Sequence, residues 1–456
     1  MLRRLTPYRR RDRAQNNDNI NHHYDESDTS IIPNISCCSW FCFFAVFGVA
    51  FVVINIIEVY VLMNSINTSN ENVSEVDTYE AMSNTVIMHP KNTSNLNVIA
   101  YAVSLTGCGD DSLTDGGAVL KHSIHLSGQK YGYKMYAIVH PDATQCSGEL
   151  KDLGYELLIR DVPVAVEDIE GDYLRTNVVR NGCCGEKEFI KLWAYTLVDH
   201  QIVVHLDLDS MILKPMDDVF ESMLFDAASE ESIAARKNLP VMYGEEMPPV
   251  VDAFFTRDYN MNNPQMKRPV LVQGGFLVLR PSLDSFKVYK EIIRKGDFRP
   301  GTGWGGKGYT KYGAMTFQGI VPYFYDEIKP NTSVELSRCI YNAQADNPKT
   351  LPSHSVGDCR DGRPDCQDCR ESDVSTLVTA HFTLCQKPWN CLPHNDYDIR
   401  HKLCRQMHHE WFRIRKDLED SWQIQEQVKG KFQEEQFFGF CHRQGKKGYI
   451  SVQVPK

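Results

Sequence analysis

Short apolar runs alternate with amphipathic stretches along most of the chain. Val98 to Ser104 predicts a first strand running into Leu105-Thr106-Gly107-Cys108, and Gly117 to Leu126 predicts a helix. Tyr133 to His140 and Tyr155 to Arg160 predict two more strands. Phe189, Leu192, Trp193 and Leu197 are spaced for one face of a helix that feeds the apolar run Ile202 to Leu206. This β-α-β order implies a mostly parallel sheet flanked by helices. Val270 to Leu279 reads as two apolar runs joined at Gln273-Gly274-Gly275, where missing side chains let a ligand approach the backbone.

The run at Ile202 ends on Asp207-Leu208-Asp209. Ligands of open α/β sheets bind at such strand ends. Extended geometry through Leu208 would point both carboxylates to one face, where a hard divalent cation relieves their repulsion. Isolated Asp-x-Asp is also common in turns and helix caps. Asp217 and Asp218 look like helix-start residues, after a Met211 to Met216 segment that turns outward. Lys191 on its own reads as a solvated pair with Glu188. Gly301 to Gly306 matches G-x-G-x-x-G formally, but no strand precedes it, so it reads as a mobile surface loop rather than a dinucleotide site. Leu377 to Trp389 carries a strand up to His381 and then Lys387, an imidazole able to complete a metal site and an ammonium able to neutralise a diphosphate.

The N-terminus departs from this pattern. Arg3, Arg4, Arg9, Arg10, Arg11 and Arg13 precede an apolar run from Trp40 to Ile57 broken only by Asn55, long enough for an uncleaved membrane anchor. The arginines predict a cytoplasmic tail, 1–38, an anchor, 39–63, and everything beyond on the lumenal side. Residues 64–96 form an Asn/Ser/Thr-rich stalk with sequons at Asn67, Asn72 and Asn92; another lies at Asn331. Residues 97–400 are expected to form the folded domain, and 401–456 an amphipathic helical tail.

Composition changes this picture little. Among 456 residues, 42% are hydrophobic and 24% charged, ordinary globular values. The net charge of -10 and the lack of a basic-aromatic stripe exclude a nucleic-acid partner. Of 15 cysteines, Cys37, Cys38 and Cys42 lie at the anchor, leaving an even dozen for disulfides. Cys359, Cys366 and Cys369 are spaced like a zinc knuckle, but a disulfide-tied loop fits the lumenal placement better.

Taken in order, Leu105-Thr106, Lys191-Leu192-Trp193, Asp207-Leu208-Asp209, Gln273-Gly274-Gly275, Gln318-Gly319 and His381 through Lys387-Pro388-Trp389 resemble glycosyltransferase family 8, the glycogenin-like retaining transferases. The resemblance covers about Val98 to Trp389. It implies a GT-A fold, a Rossmann-like α/β sheet, with a nucleotide-sugar donor, most often a UDP-hexose, and a manganese ion. It places metal binding on Asp207, Asp209 and His381, and the donor diphosphate on Lys387. Leu105 and Thr106 match the nucleotide-base segment. Lys191, Gln273, Gly274 and Gln318 match positions near the donor sugar, with Leu208 lying between the metal ligands. Lys191, Gln318 and Asp209 are the expected catalytic groups.

Two positions depart from the family pattern: Phe317 stands where an aspartate is usual before Gln-Gly, and Leu384 where a glycine is usual three residues after the histidine. The expected activity is metal-dependent retaining transfer of a hexosyl or glycuronosyl group to a glycan, glycoprotein or glycolipid by a single-pass type II Golgi membrane protein. The alternatives are a carbohydrate or nucleotide-sugar binding protein that lost turnover, and a nucleotide-sugar hydrolase. The sequence leaves the sugar, the acceptor, the linkage and a homodimer open.

Overall fold

In the computed structural model, residues 97–455 are described, except 110–111, 243–245, 262–269, 311, 348, 350–358, 361–365, 394–398, 425–433 and 443. The tail, anchor and stalk expected over 1–96 lie outside them. Among the described residues no helix is long and apolar enough to cross a membrane.

The strands are β1 (Asn97–Leu105), β2 (Gly132–Val139), β3 (Glu156–Ile159), β4 (Ile202–Leu206), β5 (Ser210–Ile212), β6 (Ala253–Arg257), β7 (Val272–Leu279), β8 (Phe298–Arg299), β9 (Gly303–Trp304), β10 (Ser333–Glu335) and β11 (Thr379–His381). Seven of them make one sheet in the order β10-β6-β7-β4-β1-β2-β3. All neighbours in it are parallel except β7, which runs antiparallel to both β4 and β6. The protein is therefore mixed α/β with a mostly parallel sheet, as the strand pattern predicted.

Alternate residues of β1 feed two cores. Ile99, Tyr101 and Val103 pack on one face, and Ala100 and Ala102 on the other. A strand buried on both faces favours apolar residues throughout, which is why β1 and β4 read as near-continuous apolar runs; the exception in β4, His205, is buried with its Nε2 2.8 Å from Ser104 Oγ. The helix Leu113–Ser127 lies on the first face and ends at Gly128, whose φ of 74° closes it in the left-handed conformation. Near its start, a Cβ on Gly116 would come within 2.3 Å of the Leu208 carbonyl oxygen, so glycine lets this helix lie directly against the Asp207-Leu208-Asp209 segment.

A third core gathers Phe382, Trp389, Trp411 and Phe412. The amphipathic stretch near the C-terminus forms the helix Ile399–Ser421 and packs there. Disulfides Cys385–Cys404 and Cys391–Cys441 tie the His381–Trp389 segment to it. Each contributes about 3 to 4 kcal/mol in the chain-entropy account. Cys359 pairs with Cys366 and Cys369 with Cys339, so the knuckle-like spacing belongs to disulfides as expected. Cys108–Cys146 is the fifth bridge.

Three local expectations are corrected. The Gly301–Gly306 loop is a small hairpin of β8 and β9 whose Trp304 is fully buried and donates its indole N–H to the Ala314 carbonyl at 2.7 Å; it is not a loose surface loop. Gln273-Gly274-Gly275 does not join two separate runs but lies within one strand, β7, at a bulge where its pairing with β6 shifts register. Ser210–Ile212 does not turn outward; it is buried and pairs antiparallel with β11. Asp217 does open a helix, Asp217–Leu224, and accepts the Lys130 amide.

Candidate active site

Backbone topology brings the acidic pair to the histidine. β4 ends at Leu206, and the chain then turns, with the Ser210 amide donating to the Asp207 carbonyl at 3.1 Å. The two carboxylates thus share a face through a turn, not through the strand alternation expected from their spacing. Because β7 runs antiparallel to β4, its N-terminal end, with Gly274 and Gly275, lies at the carboxyl end of β4. In the β5–β11 ladder His381 stands opposite Ser210, and the Phe382 amide donates to the Asp209 carbonyl at 2.9 Å.

The result is one cluster. His381 Nε2 lies 3.2 Å from Asp209 Oδ1 and 3.8 Å from Asp207 Oδ2. Side-chain donor atoms of all three residues lie within 4.8 Å of one another. A Cβ on Gly275 would come within 2.3 Å of His381 Cε1 and 2.8 Å of Asp207 Oδ2. His381 and Asp207 thus pack where a Gly275 side chain would be, while Gly274 and Gly275 both line the cleft over the cluster.

The protonation of His381 follows from a chain of hydrogen bonds that starts at a group with no choice. The Gly275 amide can only donate, and it donates to Gln273 Oε1 at 2.8 Å. The Asn342 atom 3.0 Å from that oxygen must therefore be Nδ2, which also donates to Thr256 Oγ1 at 2.9 Å. Asn342 then presents Oδ1 to His381 Nδ1 at 3.1 Å, so Nδ1 carries the proton and Nε2 is left as an acceptor. The rotatable Thr383 hydroxyl stands 2.8 Å from Nε2. Burial keeps His381 neutral, lowering its pKa to about 4. Two carboxylates and a neutral imidazole nitrogen converging in this way suit a divalent cation that accepts oxygen and imidazole ligands together. An oxygen that accepts from the other ring nitrogen of a metal-binding histidine, as Asn342 Oδ1 does here, fixes its tautomer and is the usual support for such a site.

Lysines flank the cluster on both sides. Lys191 reaches Asp207 Oδ1 at 2.9 Å, Glu188 Oε2 at 3.0 Å and the Gly274 carbonyl at 3.2 Å. Its pair with Glu188 exists, but both residues are buried, so the solvated surface pair expected from spacing alone is corrected. Burial works against the Lys191 ammonium, yet the carboxylates of Asp207 and Glu188 outweigh it and hold its pKa above the ordinary lysine value. On the other side Lys387 pairs with Asp209 Oδ2.

A cleft of about 380 Å³ opens over these groups and is lined by Leu105, Thr106, Lys191, Asp207, Leu208, Asp209, Gln273, Gly274, Gln318, His381 and Lys387. The residues expected to hold the metal or the donor, or to act in catalysis, therefore line the same cavity, whereas their motif neighbours Leu192, Gly319 and Trp389 do not. Gln318 donates to the Val272 carbonyl at 3.3 Å. Phe317 is fully buried, its ring centroid 5.8 Å from that of His205 and 5.6 Å from Lys191 Nζ. It is not among the residues lining the cleft.

No protein-family model and no curated protein matches the chain. Among solved structures it is similar to the galactosyltransferase LgtC in complex with donor and acceptor sugar analogs, at 11% identity over 71% of this chain and 98% of that one, with a TM-score of 0.40. It is also similar to the WbbM bifunctional glycosyltransferase in its apo structure, at 14% identity over 72% of this chain and a TM-score of 0.36. It spans about half of that protein, 53%. The apo form of mouse xyloside xylosyltransferase 1 is similar at 11% identity, with 64% of this chain and 98% of that one covered and a TM-score of 0.35.

Sequence reasoning missed Asn342 and Thr383, which contact His381, Thr256, which accepts from Asn342, and the buried role of Glu188. Asn342 has a φ of 52°, a conformation that asparagine tolerates better than most residues. That preference was the one local signal, and a loop asparagine gives it in many unrelated places. The Cys183-Cys184 pair, also on the cleft wall, was counted among the disulfide candidates but has no bridge here.

Proposed function

We propose that this protein is a divalent-metal-dependent glycosyltransferase of the glycogenin-like family, with a GT-A fold. In this reading it moves a hexosyl or glycuronosyl group, with retention, from a nucleotide sugar, UDP-linked, to a glycan, glycoprotein or glycolipid. The observation that carries the reading is the convergence of Asp207, Asp209 and His381, between Lys191 and Lys387, at the carboxyl end of a mostly parallel sheet.

Asp207, Asp209 and His381 would hold manganese, which when bound supplies positive charge for the leaving diphosphate. Lys387, at the outer rim of the cluster, pairs with that diphosphate once donor has entered, adding a charge where negative charge develops. Lys191 is held by Asp207 and Glu188 with its ammonium toward the cleft and orients the sugar together with Gln318. The buried Phe317 offers no carboxylate as a nucleophile at that position, which supports same-face attack in which the departing phosphate takes the acceptor proton. Membrane anchoring through the N-terminal apolar run, with the catalytic domain in the Golgi lumen, completes the proposal. The exposed sequon residue Asn331 is consistent with it.

Phe317 also favours a second reading, a protein that binds nucleotide sugars without turnover. The test is to incubate the purified full chain with manganese and a panel of UDP- and GDP-sugars, with and without glycan acceptors. Acceptor-dependent release of nucleotide supports the transferase. Binding of UDP without release supports the second reading, and donor consumption independent of acceptor marks a hydrolase.

A further inference from the structure

Ten of the twelve cysteines from Cys108 onward are in disulfides, and the two left over are neighbours in sequence, Cys183 and Cys184. Their Sγ atoms lie 2.8 Å apart, and Cys183 Sγ lies 3.1 Å from Glu188 Oε1. Cys183 is exposed, Cys184 half-buried, and both line the cleft described above. Gly182 and Gly185 frame the pair with φ values of 70° and 59°. A Cβ on Gly185 would come within 2.6 Å of the Val179 carbonyl oxygen, so this turn is built around glycine. The Met315 amide donates to Asn181 Oδ1 at 3.0 Å, tying the turn to the segment that carries Gln318.

We propose that Cys183 and Cys184 are a modification site: a vicinal dithiol that a small-molecule disulfide closes into a ring, weakening nucleotide binding in the adjoining cleft. The ring itself follows from the geometry of the pair; its effect on binding rests on the donor site proposed above.

The chemistry is thiol–disulfide exchange. The contact with its neighbour pulls the Cys184 thiol below its usual range and pushes the Cys183 thiol up, so Cys184 is the attacking sulfur. The Cys184 thiolate attacks the small disulfide RSSR, forms a mixed disulfide and releases RS⁻. Cys183, deprotonated in turn, attacks the Cys184 sulfur and expels the second RS⁻. The two thiol protons end on the two RSH molecules, and the cysteine pair is oxidised as RSSR is reduced.

A ring between adjacent residues is strained. A trans peptide holds successive α-carbons about 3.8 Å apart, whereas unstrained disulfides have about 4.4 to 6.8 Å between theirs. Strained, exposed bridges are the reducible ones, so this pair is convertible under conditions that leave the other five intact. Closing it takes the thiol of Cys183 away from Glu188, one of the two carboxylates that hold Lys191. It also removes the Cys184 contact with Thr106, on the wall of the cleft.

The test equilibrates the folded full chain in glutathione buffers of graded redox ratio, alkylates free thiols and weighs the peptide carrying both residues. Expected is a peptide that escapes alkylation and has lost two hydrogens, reopening at a ratio where the other bridges persist. In Cys183→Ser a single glutathione stays on Cys184 instead. A pair alkylated at every ratio, or one taking two glutathiones, overturns the ring. Calorimetry with UDP and manganese on the open and closed forms then reads the coupling, expected as a severalfold rise in Kd on closure. Equal Kd values overturn the coupling alone. UDP bound by neither form overturns the donor site and the coupling with it, while the ring is judged by mass.

Discussion

His381 Nδ1 donates to Asn342 Oδ1 at 3.1 Å, and that bond decides which imidazole nitrogen faces Asp209. Asn342 is buried and spends its amide on Gln273 and Thr256, so it cannot turn to present a donor instead. Replacing it with glycine keeps the left-handed backbone at φ 52° while removing the acceptor. Asn342→Gly is expected to weaken manganese binding by about 10- to 100-fold, the usual cost of losing such a partner. Calorimetric titration with manganese checks it, and unchanged affinity in a folded variant refutes the tautomer argument.

Asp209 is buried between His381 and Lys387. Asp209→Asn preserves its shape and removes its charge, so metal-dependent transfer is expected to vanish while the circular dichroism spectrum stays that of the parent. Transfer that survives in this variant, or that proceeds after chelation of the parent, contradicts the proposed metal role.

Gly275 sits where its missing side chain is filled by His381 and Asp207. A methyl group there has no room to relax except by displacing the imidazole, and overpacking of this kind costs about 1 to 3 kcal/mol. Gly275→Ala should lower the denaturation midpoint and weaken manganese binding together. Gly107→Ala, where an added Cβ meets nothing within 4 Å, is the control for the stability effect.

The parallel strands were legible because burial on both faces favours near-continuous apolar runs, which β1, the second half of β2, and β4 apart from His205 supply. Asp207, Asp209 and His381 were legible as a resemblance to a family. What brings His381 to Asp209 was not: the β5–β11 ladder pairs two three-residue strands far apart in the chain, and Met211 carries no sign of its partner. Lys191 misled for a related reason. Its helical-type spacing to Glu188 is real, but its burial comes from β7 and the end of β4, which local sequence does not report. The inward Phe317 and the αL Asn342 were hidden in the same way, since both roles are defined by contacts with distant strands.

Asp115 lies in the first turn of the helix Leu113–Ser127 and is nearly inaccessible to solvent. Its Oδ2 accepts the Tyr449 hydroxyl at 2.6 Å and the Val452 amide at 2.9 Å, holding the C-terminal segment against the helix that backs the Asp207–Asp209 turn. Burial raises its pKa from 3.8 to about 6, against the lowering effect of Arg415 and of these two hydrogen bonds. The folded state therefore holds a proton that the unfolded chain has lost between those two values. By linkage this carboxyl favours the folded state most below pH 3.8, and that contribution fades as pH rises through 6. A separation of that size corresponds to about 3 kcal/mol. Asp115→Asn cannot titrate and keeps an oxygen for both donors. Relative to this variant, the parent should gain stability between pH 7.5 and pH 4.5 in denaturant titrations. A difference between the two proteins that stays constant over that interval would show that Asp115 does not titrate as its burial requires.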